Sequence, residues 1–335
     1  MLHPSAALFE GEAAPASLPV CDHYAGSEKL MRKSLALQQE LGPVFDITLD
    51  CEDGAAVGAE EAHARLAAGL INSDENSYGR VGVRAHDTGH AAFRQDVDIL
   101  VSTAGAHMAF LVLPKVRGAD EVREAIDLVN ATAKAAGIAR RIPVHVLIET
   151  HSALREAHDI AALPQVECLS FGLMDFVSAH HGAIPASAMG PDQFSHPLIA
   201  RAMLEIAAAC HAHGKVPSHN VTTNISDPSV AGDDARHARL EFGYTRKWSI
   251  HPSQIKPIVA AFAPASEEIA EAGDILAAAQ HAGWGPIRHA DKLHDRASYR
   301  YYWSVLRRAH ATGAAMPDGL RTRFFGQPVL QAVPQ

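Results

Sequence analysis

Cysteine is scarce in this chain and never paired: Cys21, Cys51, Cys168 and Cys210 lie far apart with no CxxC spacing. That excludes a disulfide framework and a thiolate zinc site. Positive charge is also short, with 29 Lys+Arg against 38 Asp+Glu and a net charge of -9. Such a balance repels phosphate backbones and anionic lipid, so neither nucleic acid nor a membrane surface is an expected partner. No apolar run reaches the roughly 18 residues that a membrane span needs. The opening MLHPSAALFEGEAAP has no basic segment followed by an apolar one, so export is not expected and a reducing cytoplasm is the expected location. Despite 21 histidines there is no HExxH, the spacing that seats zinc on a helix face, and no GxGxxG follows the first candidate strand.

What is present is the composition of a large packed core, 47% hydrophobic and 20% charged over 335 residues. Short apolar runs rich in β-branched residues recur, each followed by a stretch with helical spacing. The expected strands are 18–21, 45–51, 80–85, 109–116, 144–150, 167–172, 215–219 and 247–251. Between them, Val122, Ile126 and Val129 form an amphipathic stripe, as do Phe93, Val97, Leu100 and Val101. Ile199, Met203, Ile206 and Cys210 form another, behind Pro197 at the first helical position. Eight strand–helix units in about 260 residues predict an α/β fold, a TIM (β/α)8 barrel, although an open doubly wound sheet shares the alternation. The barrel domain is expected over 15–264. A helical extension over 265–330 follows, with Ser266 as a helix cap and a Tyr/Trp-rich helix from about Ala297. The extension suits a structural cap, an oligomerisation arm or an active-site lid. A long loop is expected over 176–195, where barrel loops shape sites.

In a barrel, side chains at the carboxyl ends of the strands converge on one mouth. Asp50, Glu52 and Asp53 end the second strand, Arg84 the third, Lys115 the fourth and Glu149 the fifth, and the sixth runs into Asp175. Glu149 and Asp175 on neighbouring strands suit magnesium, which takes one or two carboxylates and leaves room for water and substrate. They equally suit a helix cap and an ion pair. The acidic trio fits a salt-bridged rim as well as a catalytic role. Arg84 fits either neutralisation of that rim or a grip on a substrate carboxylate or enolate. Lys115 raises a Schiff-base mechanism, but its acidic neighbours keep an amine protonated and poorly nucleophilic.

These residues sit in motifs that resemble the HpcH/HpaI aldolase and citrate lyase beta-subunit family, which includes malyl-CoA and citramalyl-CoA lyases. LDCEDG (49–54) resembles LDLEDAV, VRAH (83–86) resembles VRVN, and RKWSIHPSQI (246–255) resembles GKxxIHPxQ. LPKV (113–116), IET (148–150) and FGLMD (171–175) complete the family order. The resemblance implies a TIM barrel with a C-terminal lid and magnesium, with manganese as a substitute, held by Glu149 and Asp175. Glu52 and Asp53 then arrange water around the metal, and Arg84 holds substrate oxygens. The backbone amides of Gly172, Leu173 and Met174 receive the carboxylate of a 2-oxo acid. The lid motif resembling DGKMID is DKLHD (291–295), which makes Asp295 the catalytic acid and base.

The activity so implied is a lyase that cleaves or forms a 3-hydroxyacyl-CoA thioester, with acetyl-CoA or propionyl-CoA and a 2-oxo acid as the partners. The lid reaches a neighbouring subunit in a trimer or hexamer. A citrate lyase beta subunit using an acyl carrier, a CoA-independent aldolase, a thioesterase or malate synthase, and a noncatalytic binding protein are the alternatives. Three departures from the family pattern stand out. SLPVCDHYAGSEKL replaces the arginine-containing RSxLFVPG, His86 replaces a common asparagine, and Arg246 replaces a glycine.

Overall fold

Eight parallel strands close on themselves in the order of the chain. They are β1 (Cys21–Ala25), β2 (Phe45–Asp50), β3 (Val81–Arg84), β4 (Leu111–Leu113), β5 (Val144–Ile148), β6 (Val166–Phe171), β7 (Val216–His219) and β8 (Arg246–Ser249). Closure is made by β8 on β1, with Cys21 opposite Lys247 and Asp22 opposite Trp248. The computed structural model describes residues 2–9, 15–55 and 57–326. The closed order decides between the two sheets the alternation allowed: the fold is a (β/α)8 barrel.

Alternate residues of each strand face the surrounding helices. Ile47, Leu49, Val81, Val83, Leu111, Leu113, Val144, Val146 and Ile148 join one continuous core with the inner faces of helices such as Phe93–Ala104, Ala119–Ala135 and Pro197–Ala212. Each such side chain contributes roughly 1.5–3 kcal/mol by leaving water. The other alternate residues fill the barrel interior, where Tyr24, Phe110, Val112, Leu147 and Trp248 form a separate apolar cluster. Gly82 is required by this filling, because a Cβ there would lie 2.3 Å from the Phe110 ring.

Beneath that cluster the interior is charged. Arg246 is 0% exposed and donates to Asp46 Oδ2 at 2.6 Å and to the Pro19 carbonyl at 2.8 Å, with Asp22 Oδ2 at 3.0 Å. Arg80 holds the other oxygen of Asp46 at 2.7 Å. Arg246, which departs from the family glycine, is thus a strut in the barrel floor.

The strand expected at 18–21 begins instead at Cys21 and runs through Asp22, His23 and Tyr24. Its inward residues bind charges on other strands, so its sequence lacks the apolar signature. The loop expected over 176–195 holds the end of helix Leu173–Ser178 and a 3-10 turn, Ala186–Met189. Ser266 is the first residue of helix Ser266–His281, and Ala265 occupies the cap.

The chain packs as two compact units, Ala16–Phe262 and Met1–Pro15 with Ala263–Gln335. The second unit has its own core of Ile269, Ile275, Leu276, Tyr299, Trp303 and Leu306, into which Leu8 inserts. Helix Pro4–Ala7 belongs here through the His3 ring, which bonds the Phe324 carbonyl at 2.9 Å. A two-stranded antiparallel hairpin, β9 (Ile287–His289) and β10 (Lys292–His294), precedes helix Arg296–Ala311. Among the described residues no helix is long and apolar enough to cross a membrane.

Candidate active site at the carboxyl end of the barrel

The strand ends bring five of the expected residues into one charged network. Arg84, the last residue of β3, grips Asp50 at the end of β2 with Nε to Oδ1 at 2.7 Å and Nη2 to Oδ2 at 2.6 Å. Its remaining nitrogen lies 2.9 Å from Glu52 Oε2. The other oxygen of Glu52 pairs with Lys115 Nζ at 2.6 Å, and Lys115 also reaches Asp53 at 2.9 Å. Bidentate guanidinium–carboxylate pairs of this kind are the strong, directional form of the ion pair.

Burial pushes the Asp50 carboxyl up, but Arg84 and the amides of Glu52 and Gly54 outweigh it and hold it below its ordinary value. Burial depresses Lys115, yet its bonds to Glu52 and Asp53 outweigh that and hold the amine above its ordinary value. A protonated lysine clamped by two carboxylates is a poor nucleophile, so the Schiff-base route finds no support.

Glu149 follows β5 and is 3% exposed. Lys115 adopts a left-handed turn, φ 50°, which aims its backbone N–H at Glu149 Oε1 at 2.5 Å. Gly172 lies against the same carboxyl, since a Cβ there would sit 2.3 Å from Glu149 Oε2. Burial is the main force on Glu149 and the charge of Asp175 adds to it; against the Lys115 amide they push its carboxyl up to about 8. Asp175, in the first turn of helix Leu173–Ser178, is half-buried. A buried carboxyl raised by a neighbouring carboxylate is the environment a cation relieves.

Of the three amides expected to receive a carboxylate, that of Gly172 donates to the Ile148 carbonyl at 3.0 Å as part of the barrel. The Gly172 amide is therefore taken, whereas the N–H groups of Leu173 and Met174 open the helix where its own carbonyls cannot reach them. Among the described residues no group of three or more His, Cys, Asp or Glu gathers as a metal cluster. A metal here would therefore rest on two carboxylates, with water and substrate completing its shell, a donor set suited to magnesium.

The sequence profile of HpcH/HpaI aldolase/citrate lyase matches residues 37–252. The chain belongs to this family. A protein called L-malyl-CoA/beta-methylmalyl-CoA lyase from Rhodobacter capsulatus is 30% identical over 314 residues, 88% of this chain and 96% of that protein. The crystal structure of a citrate lyase from Burkholderia xenovorans is 61% identical, with a TM-score of 0.83 over 97% of this chain and 100% of that one. The fold is also that of Mycobacterium tuberculosis CitE, solved with magnesium, acetoacetate and coenzyme A, at 24% identity and a TM-score of 0.64 over 89% of this chain and 98% of that one. Membership in the HpcH/HpaI aldolase/citrate lyase family makes this protein a carbon–carbon lyase.

Asp295 lies in the other compact unit of this family member, at the start of helix Arg296–Ala311. There its Oδ1 accepts from the N–H of Ala297 at 3.0 Å and of Ser298 at 3.4 Å. Two residues around the mouth were not expected. Tyr24 of β1 and Trp248 of β8 pack with ring centroids 4.3 Å apart, tilted by 42°, and their centroids lie 5.3 and 5.6 Å from the Arg84 guanidinium carbon. The strict inward alternation of β1 and β8 was the available signal, since it puts Tyr24 and Trp248 one step above Asp22 and Arg246.

Proposed function

We propose that this lyase cleaves or forms a 3-hydroxyacyl-CoA thioester of the malyl-CoA or citramalyl-CoA kind. Acetyl-CoA or propionyl-CoA and a 2-oxo acid are the other partners. The observation that carries the reading is the charge imbalance of the mouth: Arg84 and Lys115 are already paired with Asp50, Glu52 and Asp53, while Glu149 stays buried beside Asp175 with its carboxyl raised to about 8. Glu149 and Asp175 fit a magnesium ion, or manganese in its place, with Glu52 and Asp53 ordering water around it. When bound, the metal supplies positive charge to the chelated oxygens of the substrate.

In this reading the substrate carboxylate meets the Leu173 and Met174 amides, and Arg84 stabilises negative charge as the carbon–carbon bond breaks. Asp50 and Glu52 keep Arg84 oriented before the substrate arrives, so no reorganisation is spent at the moment of reaction. Asp295 is assigned the proton transfer at the α-carbon: it protonates the thioester enolate in cleavage and removes that proton in condensation. Its lid would act on a neighbouring subunit of a trimer or hexamer. The malyl-CoA lyase of Rhodobacter capsulatus supports the thioester, and the ligands of CitE support the magnesium and the coenzyme A.

The test offers acetyl-CoA and propionyl-CoA separately with glyoxylate, pyruvate and oxaloacetate, with magnesium and beside an EDTA control, and identifies products by mass spectrometry. A condensed thioester that vanishes with EDTA is the expected result. Free malate would show that the condensation product is hydrolysed. Turnover of free 2-oxo acids without CoA would move the reading to an aldolase. Dependence on a separate acyl carrier would move it to a citrate lyase subunit.

A further inference from the structure

We propose that Tyr24 and Trp248 are positioning residues that fix the plane of the Arg84 guanidinium. The function of Arg84 rests on the reading above; the packing around it does not. In its own plane the guanidinium is tied on two sides, by Asp50 at 2.7 and 2.6 Å and by Glu52 at 2.9 Å. Those bonds resist rotation within the plane but oppose tilting out of it only weakly, because hydrogen bonds weaken slowly at small angles. Resistance to tilt must come from other neighbours of the group. Tyr24 and Trp248, 7% and 8% exposed, bring their rings to 5.3 and 5.6 Å from the guanidinium carbon, within the range where a ring attracts a cation. The two rings pack on each other at 4.3 Å, so neither moves alone.

Trp248 gives a second, independent sign that its ring face is what the structure uses. Its Nε1 is buried and has no hydrogen-bond partner among the described residues. A buried unpartnered N–H costs stability, so the indole is not held for its polar atom. Its large π-surface is the best cation partner among the aromatic residues. The location also fits. Trp248 and Tyr24 sit on β8 and β1, the closing pair of the barrel, so the ring pair beside Arg84 forms only when the ring of strands is complete.

Trp248→Leu, Trp248→Phe and Tyr24→Leu test this, each alone and with Arg84→Lys. Trp248→Leu is expected to lower kcat/KM about tenfold or more, mainly through kcat. Trp248→Phe, which keeps a ring and discards only the unpartnered N–H, is expected to recover most of that loss. On the Arg84→Lys background Trp248→Leu should add little, because its effect passes through the guanidinium. An equal loss on both backgrounds, or equal losses for Leu and Phe, would overturn the proposal. Tyr24→Leu carries the same expectations and replaces Trp248→Leu if the latter does not fold. Should the protein turn over no thioester at all, the substrate reading fails, and crystal structures of the same variants still decide the present point. A guanidinium displaced from its bidentate seat on Asp50 is expected; an unmoved one would sink the proposal.

Discussion

The floor and the mouth of the barrel are built from the same residue types and end in opposite electrical states. On the floor Arg246 and Arg80 face Asp22 and Asp46, two cations for two carboxylates, with Arg246, Asp22 and Asp46 buried and Arg80 reaching solvent. At the mouth Arg84 and Lys115 face Asp50, Glu52 and Asp53, with Glu149 and Asp175 beside them and, among the described residues, no further cation paired to either. A closed charge count is what a structural strut requires, since an unpaired ion in the interior is expensive. A surplus of carboxylates kept at strand ends is tolerated where a cation is to be bound. Arginine in a barrel is therefore no sign of catalysis in itself; the balance around it separates Arg84 from Arg246.

The sharpest way to break this comparison is to remove the surplus. Glu149→Ala or Asp175→Ala should cost about a thousandfold or more in magnesium-dependent turnover, measured as kcat across a magnesium titration. Turnover retained by either variant would refute the metal assignment. On the floor the expected damage is to stability instead. Arg246→Met leaves Asp22 without its cation and Asp46 with Arg80 alone, and should cost about 3–5 kcal/mol in denaturant unfolding while the folded fraction keeps its kcat. A loss of kcat with stability intact would make the floor part of the site.

Between the barrel and its helices, His23 sharpens the contrast through pH. Burial, reinforced by repulsion from His251, pushes its ring down to about 4 from an ordinary 6.5. A ring neutral in the fold but protonated when unfolded supports the fold fully above 6.5, and that support is lost as pH falls toward 4. Lowering the pH from about 7 to 5 should therefore cost about 2 kcal/mol from this group, and His23→Asn should flatten that part of the stability curve. The smallest effect belongs to the solvent side of the mouth. Asp53 is 59% exposed where it meets Lys115, so Asp53→Asn should change stability by less than about 1 kcal/mol in the same unfolding measurement.

The fold was legible because the outward faces of the strands are apolar and the helices between them are amphipathic. Six strands fell within two residues of their expected limits, including Phe45–Asp50 and Val144–Ile148, while β4 is shorter, Leu111–Leu113 against 109–116. β1 did not, because Asp22 and His23 are polar residues whose partners Arg246 and Ser249 lie on β8, and Tyr24 packs its ring by Arg84 on β3. The attachment of helix Pro4–Ala7 to the C-terminal unit was hidden for a related reason, since its partner Phe324 is 321 residues away from His3. At the candidate site, the expectation that Glu52, Asp53, Arg84, Lys115, Glu149 and Asp175 stand at or just past strand ends rested on position alone. It could not show that the Gly172 amide is spent on Ile148, because that bond depends on how β6 lies against β5.

The sequence by itself determined the alternation of strands and helices, the family, and which charged residues stand at strand ends. Each of these is a short-range property, written in periodicity and in motifs of a few residues. The tertiary structure alone decided who meets whom: Arg84 with Asp50 across 34 residues, Arg246 with Asp46 across 200, and the ring of Trp248 with that of Tyr24. Barrel closure fixes those pairs, because strand register and tilt choose which inward side chains share a level, and no local pattern encodes a register between strands.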